Sequence, residues 1–176
     1  MQKKVREVAI DLITDERGRY HYEERKDEMD GRADIVVASE VLSKRRGGKG
    51  GWGGGNPGVA SSEVLIIGGG LAGRAAACAA CGLGALVRVF DNDFYRLKAT
   101  QLEVSPSIFT SNMHPHVLEN AMRSAAVVIG TEVPEGGRLG VSYIEMMKRG
   151  ALLFDLCMDK GGCFETSSCS EAPCNK

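Results

Sequence analysis

The run from Glu63 to Asp91, EVLIIGGGLAGRAAACAACGLGALVRVFD, leaves little freedom in how the chain around it folds. Val64–Ile67 is an unbroken block of β-branched and aliphatic residues, as expected of a strand covered on both faces. A glycine cluster at 68–70 follows at once, then a segment built almost wholly of Ala, Cys and Gly. Side chains that small suit a helix pressed closely against a sheet. Leu86–Phe90 is a second, largely apolar run broken only by Arg88, and Asp91 closes it. Strand, glycine turn, helix and strand in this order predict a βαβ unit, with parallel pairing and a right-handed crossover.

The alternation continues downstream. A helix is expected from about Asn92 to Leu102, a strand at 107–110, a helix from about His114 to Arg123 and a strand at 126–129. A glycine-rich loop at 130–140 leads to a helix at 141–148 and a strand at 151–155. The fold class is therefore α/β: a Rossmann-like, doubly wound parallel sheet with helices on both faces. Upstream, 5–14 reads as a strand, 15–18 as a turn and RYHYEER as a polar, extended continuation. From 27 to 46 the pattern turns helical, with a stripe of Met29, Ala33, Ile35, Val36, Val37, Val41 and Leu42. Gly31 is expected to weaken its early part.

Bulk properties exclude several classes. The length, 176 residues, suits one domain with an appendage, and 43% apolar with 26% charged residues are globular values. A net charge of −1 gives no general attraction to nucleic acid or anionic membrane. The segment 47–62, GGKGGWGGGNPGVASS, follows KRR and has the makings of a basic, aromatic-interleaved nucleic-acid strip. With one Trp in one short run, the plainer reading is a loop, and no nucleic-acid partner is expected. No apolar run is long enough for a membrane span or a signal peptide, so the expected location is the cytoplasm. The six cysteines are Cys78, Cys81, Cys157, Cys163, Cys169 and Cys174. Cys78 and Cys81 form a CxxC inside what should be a buried helix face, and the others lack metal-ligand spacing, so no metal site is expected.

The chemistry lies in the glycine turn. Gly68, Gly70 and Gly73 give G-x-G-x-x-G directly after a strand and at the opening of a helix. Gly68 permits the tight turn, Gly70 lets a pyrophosphate approach the backbone, and Gly73 lets the helix lie against the sheet. The helix N-terminus offers unpaired N–H groups and the positive end of its dipole to that pyrophosphate. Asp91 stands eighteen residues beyond Gly73, at the end of the second strand. A carboxylate there accepts the adenosine ribose hydroxyls and repels a 2′-phosphate, which favours NAD over NADP. The competing reading of Asp91 is a helix cap, and FAD uses a similar fingerprint, usually at a chain start.

Several stretches resemble, in order, the NAD-binding domain of alanine dehydrogenases and of the related proton-translocating nicotinamide nucleotide transhydrogenases. They are GG and PGV within 53–59, VLIIGGGLAGRAAA at 64–77, VIGTEVP at 128–134 and IEMMKRGALLFDLCMDKGGCFETS at 144–167. The D-x-GGCFE-S ending is nearer the alanine dehydrogenase form. The resemblance implies that the glycine turn with Leu71 and Ala72 holds the pyrophosphate and that Asp91 holds the ribose. It places Arg96 close to the ribose, Ser111 on the adenine side and Val133 in apolar contact with the cofactor. Asp159 matches an acid near the nicotinamide that assists proton transfer. Three departures are visible. The 130–140 loop is short, Glu132 replaces an apolar neighbour of the cofactor, and Lys160 stands beside Asp159 where Gln is common.

The family's substrate domain carries a Lys, an Arg and a His for pyruvate, and nothing in this sequence matches it. The expected organisation is a stub of that domain at 1–26, a connecting helix at 27–46, a Gly-rich loop at 47–62, the NAD-binding domain at 63–167 and a polar tail at 168–176. His21 falls in the stub, and His114 and His116 are expected at the surface. The implied activity is reversible oxidation of L-alanine to pyruvate and ammonia with NAD, with this chain incomplete and inactive alone. L-alanine and pyruvate become partners only if a substrate domain is supplied, and the family's habit of assembling admits a homo-oligomer. The alternatives are a non-catalytic NAD-binding module and the NAD-binding component of a transhydrogenase.

Overall fold

In the computed structural model, residues 21–42 and 61–168 are described. The expected strand at 5–14, the turn at 15–18, residues 43–60 of the helix end and Gly-rich loop, Cys169 and Cys174 lie outside them.

Alternate residues of β1 (Glu63–Ile67) face opposite ways, and Val64, Leu65, Ile66 and Ile67 are all buried. This is why the run is continuously apolar: each face of the sheet has its own cover. Val64 and Ile66 pack with Ala76, Ala77 and Ala80 of α2 (Leu71–Gly82) and with Ile35 and Ala38 of α1 (His21–Leu42). Leu65 and Ile67 join Leu118, Ala121 and Met122 of α4 (Pro115–Ser124), together with Phe164. The remaining elements are β2 (Leu86–Phe90), α3 (Phe94–Glu103), β3 (Phe109–Ser111), β4 (Val127–Gly130), α5 (Val141–Glu145) and β5 (Leu152–Asp155), closed by a 3-10 turn at Met158–Lys160. The five strands run in the order β3-β2-β1-β4-β5, and every pair is parallel. The chain thus reverses direction of travel across the sheet between β1 and β4, the switch point at which open α/β sheets form their binding crevice.

Four local expectations shift. The HYEER run is helical, not extended: α1 begins at His21, and Glu and Arg are good helix formers. The strand expected at 107–110 starts at Phe109. A turn takes the residues before it, with Ile108 N–H donating to the Ser105 carbonyl at 3.2 Å and Ser107 N–H to Ser105 Oγ at 3.2 Å. The helix expected at 141–148 stops at Glu145, after which the chain continues in turns. Cys78 is exposed and Cys81 half-buried, so the CxxC does not share the buried face formed by Ala76, Ala77 and Ala80. Burial, then the neighbouring Cys78, pushes the Cys81 thiol up, away from thiolate chemistry.

Gly31 has a positive reason to be in α1. A Cβ there would collide with the Ala72 carbonyl oxygen and lie 3.2 Å from Ala76 N. The two helices cross backbone to backbone at this residue. The small side chains of α2 and Gly31 of α1 are two halves of one close contact.

Candidate functional site

The site is built at the carboxyl end of the sheet from the glycine turn, the end of β2 and the segment after β4. Gly68 leaves β1 with φ +105°, a left-handed value that side chains resist. Its N–H donates to the Phe90 carbonyl at 2.8 Å, tying the turn to β2. A Cβ on Gly73 would collide with the Gly68 carbonyl oxygen, so the helix can start this close only with glycine there. Gly70 is the N-cap of α2, with no side-chain cap and no acid in the first helical turn. Leu71 and Ala72 open the helix beside it. The helix start is thus kept free of a local capping group, as an anion cradle requires.

Thr131 fixes the turn from the other side. Its hydroxyl is placed between the Ile67 and Gly68 carbonyl oxygens at 3.0 and 3.2 Å, and its side chain is buried. Sequence reading passed over this residue; the signal was a hydroxyl directly after the VVIG strand.

Asp91 is half-buried as a residue, its side chain only 9% exposed. Oδ2 accepts the Gly69 N–H at 2.7 Å and Oδ1 the Asp93 N–H at 2.8 Å. It does not cap α3. That task belongs to Asp93, whose Oδ1 accepts from Tyr95 N–H at 2.8 Å and Arg96 N–H at 3.4 Å. Each Asp91 oxygen keeps a further lone pair for a hydroxyl donor.

Arg96 reaches three carboxylates. Its Nη1 pairs with Glu132 Oε2 and lies 3.7 Å from Asp91 Oδ2, and its Nε lies 3.7 Å from Asp93 Oδ2. Partial burial pulls its pKa down, but Glu132, by charge and hydrogen bond, and then Asp91 and Asp93 carry it above the usual value. A cleft of about 240 Å³ is lined by Gly68, Asp91, Arg96, Glu132, Val133 and Met113, among others. Ser111 is not among them. It ends β3, its carbonyl accepts the Asp91 N–H at 3.1 Å, and it lines a neighbouring groove with Asp91 and Asn92. His114 and His116 are exposed at the start of α4.

Asp159 lies apart, exposed in the 3-10 turn beyond β5. Strand order puts β1 and β4 between β5 and β2, whose end bears Asp91. Three strand spacings, about 14 Å, separate the two strand ends. The Asp159 loop is held by Asp155, another residue that sequence reading missed. Asp155 Oδ2 accepts from Cys163 N–H at 2.8 Å, Phe164 N–H at 3.3 Å and Ser167 Oγ at 2.5 Å, and Oδ1 from Cys157 N–H at 3.1 Å. Burial opposes its ionisation, yet the bonds from Ser167 and Cys157, then Cys163, hold its pKa below the usual carboxylate value. Gly161 and Gly162 turn the loop with φ of +104° and +79°. Arg138 secures the far end through the Phe164 and Ser167 carbonyls.

Residues 34–174 match the family described as alanine dehydrogenase/PNT, C-terminal domain. The alanine dehydrogenase of Mycobacterium tuberculosis (strain H37Rv) is 38% identical over 104 residues, covering 57% of this chain and 28% of that protein. That of Staphylococcus haemolyticus is 38% identical over 144 residues, covering 80% of this chain and 39% of the relative. The chain therefore spans well under half the length of these curated relatives. Among solved structures, an L-alanine dehydrogenase superposes with a TM-score of 0.82 at 28% identity, covering 94% of this chain and 47% of that one. A transhydrogenase from Sinorhizobium meliloti shares the fold, with a TM-score of 0.63 at 17% identity, covering 91% of this chain and 49% of that one. Sequence match and superposition agree with the glycine turn and the parallel sheet: the chain belongs to the alanine dehydrogenase/PNT C-terminal domain family, the nicotinamide-nucleotide-binding domain of alanine dehydrogenase-like proteins.

Proposed function

We propose that this chain holds NAD(H) across the carboxyl end of its sheet and supplies the cofactor half of an alanine dehydrogenase active site. The observation that carries this reading is the meeting of an uncapped helix start at Gly70 with the Asp91 carboxylate, joined through the Gly69 N–H. These are the two groups that a pyrophosphate and an adenosine ribose require. Asp91 favours NAD over NADP because a 2′-phosphate beside it would meet a like charge. Arg96, the nearby cation, is already engaged by three acids.

In this reading Gly68, Gly70, Leu71, Ala72 and Gly73 receive the pyrophosphate through backbone N–H groups. Asp91 and Arg96 orient the ribose, Ser111 borders the adenine and Val133 gives apolar contact. NAD, when bound, supplies the hydride acceptor. Asp159, on the β5 side, holds or moves a proton near the nicotinamide, and Asp155 keeps its loop in place. L-alanine and pyruvate are the substrates, recognised by groups of a second domain, and closure of the two domains excludes water from the reacting atoms. The working location is the cytoplasm, and self-association into a homo-oligomer accompanies the function.

Titration of NADH fluorescence tests the reading. Saturable binding is expected, with NADPH much weaker; an unaltered spectrum up to millimolar NADH overturns it. Alanine-dependent NADH formation by this chain alone would contradict the assignment of substrate groups to a second domain.

A further inference from the structure

The cleft that should receive a pyrophosphate already contains an anion of the protein's own. Glu132 leaves the end of β4 and crosses the glycine turn: a Cβ placed on Gly70 would collide with Glu132 Oε1 and lie 3.3 Å from its Cδ. At Gly68 the corresponding Cβ would lie 3.1 Å from Glu132 Cβ. Beyond the turn, Glu132 Oε2 is paired with Nη1 of Arg96, a residue of α3. The carboxylate therefore spans from the β4 side to the β2 side, directly over the N-cap of α2. Among the described residues, the other charged groups lining this cleft are Asp91, Asp93 and Glu135, and Arg96 is its one lining cation.

We propose that Glu132 is an internal competitor for the pyrophosphate position, latched by Arg96, and that a dinucleotide binds by displacing it. On entry of the ligand the Glu132 carboxylate moves out to solvent and Arg96 passes from Glu132 to the pyrophosphate. This rests on the assignment of the glycine turn as the NAD cradle. The side chain is 39% exposed, so its path outward is open, and the displaced group regains water. Two costs oppose binding: the Glu132–Arg96 pair is broken, and a dianion is brought close to a carboxylate. Glu132 thus sets the affinity of the site and favours ligands whose charge can take over Arg96.

Binding of NADH, ADP-ribose and adenosine to the full chain tests the latch, using wild type, Glu132→Gln, Glu132→Ala and Glu132→Ala/Arg96→Ala. Glu132→Gln removes the charge at nearly constant volume, and Glu132→Ala removes both charge and bulk. Both should tighten NADH and ADP-ribose about five- to tenfold, the scale of one exposed ion pair no longer broken and one like charge removed. Adenosine, which has no pyrophosphate, should bind wild type and the two single variants alike, and the double variant, which also lacks Arg96, should lose the gain for NADH and ADP-ribose. Circular dichroism and melting midpoints check that each variant is folded. Wild-type binding of NADH with unchanged or weaker affinity in both single variants overturns the latch and leaves the cradle standing. An equal gain for adenosine also overturns it, because the effect would not be local to the pyrophosphate. Absence of NADH binding in wild type and all variants overturns the cradle and the latch together.

Discussion

The carboxylate of Asp91 and the amide of Gly69 are joined by a 2.7 Å hydrogen bond that ties the end of β2 to the middle of the glycine turn. The acid proposed to hold the ribose is also a strut of the loop proposed to hold the pyrophosphate. Binding and local structure are coupled through one side chain.

Replacing Asp91 separates the two roles. Asp91→Asn keeps an acceptor for Gly69 N–H but loses the charge, while Asp91→Ala loses both. Hydrogen bonds to a charged group contribute about 1.5–3 kcal/mol, so Asp91→Ala should weaken NADH about ten- to a hundredfold. Asp91→Asn should weaken it less and narrow the preference against NADPH. Fluorescence titrations with both nucleotides measure this; unaltered affinity in Asp91→Ala would reduce Asp91 to a structural strut.

Gly31→Ala reverses an ordinary rule. In an exposed helix interior, alanine is favoured over glycine by about 1 kcal/mol. Here the new Cβ meets the Ala72 carbonyl, so α1 must move away from α2. The expected result is destabilisation of about 1–3 kcal/mol, the range for an overpacked core. Urea unfolding measures it, and a raised midpoint would show that the crossing of the two helices is loose.

Asp34 sets a pH dependence. Its Oδ2 is buried with no hydrogen-bond partner among the described residues. Burial, reinforced by the charge of Asp30, pushes its carboxyl from 3.8 up to about 6. A folded pKa above the unfolded value means that the contribution to stability is fully present below the unfolded pKa and is lost as pH rises through about 6. Asp34→Asn should therefore melt a few degrees above wild type at neutral pH, and the difference should vanish below about pH 4. Melting curves across that range decide it; a lower melting point for Asp34→Asn at neutral pH would mean that the charged form is the stabilised one.

The sheet and its glycine turn were legible because their causes are local. The apolar block at 64–67, the largely apolar run at 86–90 interrupted only by Arg88, the glycines between them and the small-residue helix each follow from neighbours in the chain. Element ends were less legible. At 105–108 a Ser-centred turn outcompeted strand pairing, and nothing in the SIFT pattern distinguishes Ile108, buried outside the strand, from Phe109, which begins it. Asp155 read as the end of a strand, although its oxygens organise the whole loop that carries Asp159.

By itself, then, the sequence determined the βαβ unit, the parallel sheet, the family and the candidate cradle of Gly68, Gly70, Gly73 and Asp91. Periodicity and the steric freedom of glycine act over a few residues, and so they can be read from the string. Only the tertiary structure decided that Gly31 is a helix contact, that Thr131 locks the turn and that Asp93 rather than Asp91 caps α3. It alone placed the Glu132 carboxylate over Gly70 in the grip of Arg96. Those facts depend on where side chains from distant segments point once the sheet brings them together, and no local pattern encodes that direction.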